Sequence, residues 1–193
     1  MRVKINSEQQ IQRINLLISL LEDYKKISKD QLVQRPTEKS WSILEIIKHT
    51  SIAHRVYETS ISGTLNEVNS SDTKKLPEII KCSYISSMLI KRFPPKDGKV
   101  RLKMKTMKKF EPLLDINDVN ADEIFQENMT ALEQLKSWIN EYRMNNITRK
   151  RFNSAVGPVI RFNIPEACEF ILSHNERHFH QIKKTLESVQ SYR

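Results

Sequence analysis

Asn163-Ile-Pro-Glu-Ala-Cys-Glu-Phe-Ile-Leu-Ser-His174-Asn-Glu-Arg-His178-Phe-His180-Gln181 is the stretch that settles the class of this fold. Asn163 can cap a helix, Pro165 suits a first turn whose N–H groups need no partner, and Glu166 sits at the third helical position. Ala167, Phe170, Ile171, Ile182 and Leu186 recur on one side, predicting a helix from Ile164 to about Val189. His174 and His178 stand four apart, so they share a face, together with Phe170, Ile171 and Gln181. Both imidazoles therefore point inward, where a divalent ion could use them.

Three more segments carry the same period. The first runs from about Ser7 to Lys26, with Ser7 and Gln10 as an expected capping box and Ile11, Ile14, Leu17, Ile18 and Leu21 as its stripe. The second starts at Ser42, where Ser42 and Glu45 form a capping box and Trp41 can staple onto Ile46; Ile43, Ile46, Ile47, Ala53 and Val56 carry it to about Ser62. The third spans about Ala121 to Tyr142, opened by Asn120 and Glu123, with Ile124, Met129, Leu132, Leu135, Trp138 and Ile139 on one side. Four helices of about 20 residues predict an all-α four-helix bundle in one domain, residues 1–193. Three glycines in 193 residues leave little material for the tight turns of a β-sandwich.

Residues 63–119 separate the second helix from the third. A structureless connection of that length is implausible, so Leu76 to Phe93 is expected to supply an extra short helix, ended by Pro94 and Pro95. A connection this long permits the two flanking helices to run parallel, in the up-up-down-down style of bundles with long crossovers. Arg149 to Arg161 reads as an irregular turn or a short hairpin around Gly157-Pro158. Between Lys91 and Lys109 nine basic residues face one acid, Asp97, which concentrates the formal charge of +9 in this connection. Such runs are usually solvated; functionally, this one could attract an anionic cosubstrate.

Of the five histidines, His49 is the third that points inward, on the face of Ile46, Ala53 and Val56. A lone inward histidine is ordinarily a hydrogen-bonded core residue. Three in a chain of five histidines would each need satisfied nitrogens, which favours His49, His174 and His178 as a metal triad. Three histidines suit several first-row ions, zinc and nickel foremost among the expectations. His54 lies about 140° from His49 and His180 about 200° from His178, so both are expected to be partly exposed and not to bind metal. Cys82 and Cys168 form no CxxC and read as free thiols of a reducing compartment. No apolar leader or membrane-length run occurs, and the expected location is the cytoplasm. There is no HExxH, P-loop, GxGxxG or GxSxG.

Lys39-Ser-Trp-Ser-Ile-Leu-Glu-Ile-Ile-Lys-His49 is similar to the WSxxE-x3-H start of helix two in the DinB-like superfamily of metal-dependent enzymes, and the His174–Gln181 stretch to its HxxxHxxQ helix four. The resemblance implies an up-down-down-up bundle holding one divalent ion by His49, His174 and His178, with Gln181 beside the site. Relatives include bacillithiol- and mycothiol-dependent transferases and isomerases, and homodimers are common. The expectation is therefore an enzyme activating a water or thiol on a small molecule, with an anionic low-molecular-weight thiol as a candidate cosubstrate and a homodimer as its assembly. A non-catalytic metal-binding or interaction protein is the alternative. Nucleic-acid binding ranks last, because the basic stretch offers only Phe93 and Phe110 for stacking and no known motif. No general base is named by the sequence, since the capping box already accounts for Glu45.

Overall fold

The computed structural model describes residues 2–67, 77, 79–94, 105–115, 118–145 and 150–191. Leu76, Pro95, Lys96, Asp97, Gly98, Lys99, Arg101 and Lys103 lie outside them, so only part of the basic stretch has a described structure. Four long helices dominate: α1 (Ser7–Lys25), α3 (Ile43–Asn66), α5 (Ala121–Asn145) and α6 (Ile164–Ser191). A short α2 (Lys29–Val33) precedes α3.

Each long helix begins where a side chain satisfies its first N–H groups. Ser42 and Glu45 form the reciprocal capping box of α3, the Ser42 N–H donating to Glu45 at 2.8 Å. Asn163 and Glu166 do the same for α6. Helix α1 departs from expectation. Its cap is Asn6, which accepts from the Gln9 N–H, while Gln10 is buried and bonds to Glu169 across the bundle. Capping one residue earlier turns Gln10 inward, where an acceptor and a donor await it.

Side-chain contacts give the helix directions. Gln10 accepts from Tyr142 while Lys25 approaches Asp122, so α1 and α5 are antiparallel. Arg13 meets Glu169 and Tyr24 meets Phe179, so α1 and α6 are parallel. Tyr57 packs near Phe170 and His49 near His178, so α3 and α6 are antiparallel. Asn128 bonds to Thr50 and Ser51 while Trp138 stacks on His54, so α3 and α5 run the same way. The order is up-down-down-up, as the family resemblance implies. Parallel α3 and α5 are found as the long connection allows, and the opposition of α1 and α3 sets aside the up-up-down-down style.

The core draws on all four: Ile14, Leu17 and Leu21 of α1, Ile43, Ile46, Ile47 and Ile61 of α3, Leu132, Leu135, Trp138 and Ile139 of α5, and Ala167, Cys168, Leu172 and Ile182 of α6. Helix α3 buries more than one stripe because α5 covers one flank and α6 the other. That widening corrects two expectations. His54 is buried, at 5% exposure, and Val56 is exposed at 37%, with Tyr57 and Ile61 taking its place in the core.

Within the connection, Tyr84–Ile90 (α4) is the helical part, among the described residues, of the Leu76–Phe93 stretch expected to be a helix. Ile79–Lys81 (β2) is instead a strand paired antiparallel with Lys4–Asn6 (β1). The short apolar pair Ile79-Ile80 is compatible with either state, and pairing with β1 decides it. The hairpin reading of Gly157 is the one adopted: Phe152–Ser154 (β3) pairs with Gly157–Phe162 (β4), and Gly157 takes a φ of 158° that suits glycine. Glu166 ties these additions to the start of α6, accepting from Arg151 at 2.7 Å and from the Ser83 N–H. No helix among the described residues is long and apolar enough to cross a membrane.

Candidate metal centre

One turn of α6 presents His174 and His178, and the antiparallel α3 brings His49 opposite them. The Nε2 atoms of His174 and His178 are 3.2 Å apart, and one ring nitrogen from each of the three histidines lies within 4.8 Å of the others. Ring centroids are 4.4 Å apart for His174–His178, 4.6 Å for His49–His178 and 5.2 Å for His49–His174. Tetrahedral zinc with metal–nitrogen bonds near 2.0–2.1 Å needs nitrogens about 3.4 Å apart. The cluster needs only a small contraction to meet that.

The outer nitrogens are spoken for. His49 Nδ1 is 2.7 Å from the Phe110 carbonyl, which can only accept, so His49 carries its proton there and its Nε2 keeps a lone pair. His178 Nδ1 is 3.0 Å from Gln181 Oε1, which orients that ring in the same sense. Partners of this kind are what hold metal-bound imidazoles. With its proton on Nδ1, His178 offers Nε2 as an acceptor to the facing Nε2 of His174, a lone pair that either the His174 proton or a cation can take.

Burial acts in the same direction. Desolvation pushes the His49 pKa below its ordinary value and that of His178 well below; His174 falls to about 3 through burial, with His49 and Arg177 adding to it. All three are neutral donors at pH 7. A first-row divalent ion fits this donor set, and with no anionic ligand among the three it would keep its full charge.

The triad opens onto a cavity of about 100 Å³ walled by Tyr57, Phe93, Phe110, Phe170, Ile171 and Val156, with Lys105, Thr106 and Met107 at its edge. No carboxylate lines it among the described residues. Phe93, Lys105, Met107 and Phe110 come from the long connection, which therefore builds a wall of the site and aims His49. The sequence offered no sign of this, because nothing local marks a loop residue that will donate its carbonyl to a distant histidine.

Glu45, the acid nearest His49 along α3, is fully occupied. Burial alone would raise its pKa, but the Arg35 guanidinium and the Ser42 N–H outweigh that and hold it below the usual range. Cys82 and Cys168 are both buried and free, and burial raises both thiols, Cys82 to about 12. Neither can serve as a nucleophile at neutral pH.

The matched family model is that of the DinB superfamily, over residues 11–182. The chain belongs to the DinB superfamily. A solved structure with this superfamily's bundle is YfiT from Bacillus subtilis, "a probable metal-dependent hydrolase with an unusual four-helix bundle topology". It shares 12% sequence identity at a TM-score of 0.58, over 93% of this chain and 85% of that one, a likeness of fold. No curated protein sequence matches the chain.

Two predictions test the surroundings of this DinB-superfamily site. Gln181→Ala removes the acceptor of His178 Nδ1 and should weaken zinc affinity about 10–100-fold without abolishing binding, measured by competition with a chromophoric chelator. His54 also lines the cavity; it stacks on Trp138 at 4.7 Å with an interplanar angle of 7°, and neither ring nitrogen has a partner. Burial lowers its pKa to about 4. Above pH 6.5 it is neutral both folded and unfolded. Between pH 6.5 and 4 only the unfolded chain takes the proton, so folding stability falls as pH falls. In the metal-free protein, His54→Phe should flatten the stability profile in that window by about one proton, or about 1.4 kcal/mol per pH unit, in urea titrations at stepped pH.

Proposed function

We propose that the chain is a metal-dependent enzyme that activates a water or a thiol at His49, His174 and His178 and delivers it to a small molecule in the adjoining cavity, as a hydrolase or a thiol S-transferase. The observation that carries this is the convergence of three neutral imidazoles, two with their outer nitrogens fixed, at an apolar cavity that no carboxylate of the described residues lines. A structural ion would need no adjoining cavity.

A bound divalent ion supplies the positive charge that lowers the pKa of a coordinated water or thiol. The chain's residues do the rest. Phe110 and Gln181 hold two ligand rings by their protons. Phe93, Phe110 and Phe170 exclude bulk water from the reacting atoms, which strengthens every charge interaction inside. The inert Cys82 and Cys168 mean that a thiol nucleophile would come from a cosubstrate. An anionic low-molecular-weight thiol suits Lys105 at the cavity edge and the basic stretch to which that residue belongs.

The test is to load the purified chain with zinc, nickel or manganese, measure metal by elemental mass spectrometry, and assay the loaded protein on activated esters, amides and thiol-transfer pairs. About one ion per chain with turnover lost in His174→Ala supports the reading. A chain that holds none of the three metals overturns it.

A further inference from the structure

Arg177 stands on the same turn of α6 as the two histidines, between His174 and His178, and lines the same cavity. The other arginines that bury part of their side chains against α3 or α6 are paired with acids: Arg13 with Glu169 and Glu176, Arg35 with Glu45, and Arg151 with Glu166. Arg177 has no such carboxylate among the described residues. Its Nη1 is buried with no hydrogen-bond partner, and its guanidinium lies over the Phe93 ring, 5.6 Å from the centroid.

A buried donor left unpaired costs free energy that a ligand can return. We infer that Arg177 is the substrate-binding residue of this cavity and that it takes a carboxylate, so that the substrates are small apolar carboxylic acids.

The planar guanidinium matches a carboxylate with two parallel hydrogen bonds. Its place over the Phe93 ring holds the guanidinium beside the cavity in advance. The walls are rings and branched aliphatics, and a phosphate dianion would lose more hydration there than one guanidinium restores. Volume sets the size: about 100 Å³ is well above the roughly 10–15 Å³ that holds one water, enough for the acid end of a short branched or aromatic molecule. A carboxylate seated on Arg177 leaves the rest of the molecule beside His174 and His178, because all three side chains leave one turn of helix. The inference deepens the proposed function in naming its substrate class, yet the binding step itself needs only the cavity and Arg177.

The experiment compares isobutyrate with its uncharged isostere isobutyramide by NMR titration of the full chain, with zinc and without it, in the parent, Arg177→Met and Arg177→Lys. Metal content and far-ultraviolet circular dichroism are recorded for each. The parent should prefer isobutyrate by about tenfold or more in both metal states. Arg177→Met should lose that preference in the metal-free protein while keeping its zinc and helicity, and Arg177→Lys should recover part of it. A preference present only with zinc assigns the carboxylate to the ion, and one unchanged in metal-free Arg177→Met assigns it to another group such as Lys105; either result overturns the inference. Should the parent hold no metal, the proposed function fails, and the metal-free titration still decides the role of Arg177.

Discussion

His178→Ala will strip the chain of stoichiometric metal while leaving its helices in place. His178 supplies one of three converging nitrogens, stands 3.2 Å from its counterpart on His174, and is held by Gln181. Binding free energies of about 10–16 kcal/mol for four-ligand structural zinc sites correspond to roughly 3 kcal/mol per ligand, so losing one should cost about 100–1,000-fold in affinity. The fold should survive because the core of Ile14, Leu21, Ile46, Leu135, Trp138 and Ile182 does not depend on the imidazole. His180→Ala is the control. It lies two residues away on the partly exposed side and should retain about one ion per chain. Elemental analysis after zinc loading and desalting, with circular dichroism, checks both variants. Parental metal content in His178→Ala would place the ion elsewhere.

The second large effect is on stability. Trp138 is 1% exposed, on α5, with His54 stacked flat against it. Trp138→Ala removes the largest of the fully buried side chains and should cost about 3–5 kcal/mol, lowering the melting temperature by roughly 6–20 °C for a chain of this length. It should also admit water to His54. The acid-linked loss of stability assigned to His54 should then shrink, so that Trp138→Ala and His54→Phe are non-additive below pH 6.5. Urea unfolding of the two single variants and the double variant at pH 7 and pH 5 measures this directly. Additivity at both pH values would mean that the stack does not govern the histidine.

These effects depend on contacts with different visibility in the sequence. The four long helices are local: spaced apolar residues, Ser42 with Glu45, and Asn163 with Pro165 and Glu166 act within one or two turns, and both of these caps are found where their pattern puts them. The inward face of His174 and His178 was legible for the same reason, since helical geometry alone puts positions four apart together. Gln181 followed from the same geometry, one turn on.

Errors arose where a residue's surroundings come from elsewhere in the chain. His54 looked exposed because one apolar stripe was drawn on α3, whereas α5 and α6 cover two of its flanks. Gln10 looked like a cap and proved to be a buried link between Glu169 and Tyr142. Ile79 and Ile80 looked helical until β1 paired with them. The orphaned Nη1 of Arg177 could not be foreseen at all, because a missing partner is a property of the assembled cavity.

By itself, then, the sequence determined the four long helices and the pairing of His174 with His178, all governed by hydrogen bonds and side-chain spacing within a few residues. The family resemblance implied the up-down-down-up order and His49 was expected to face inward, but only the tertiary structure decided which ring nitrogens converge and the use of Phe93 and Phe110 from the long connection as a wall and a hydrogen-bond acceptor for the site. The physical reason is that these depend on which faces find one another across the core. That choice is made by burial summed over the whole chain, and no short stretch encodes it.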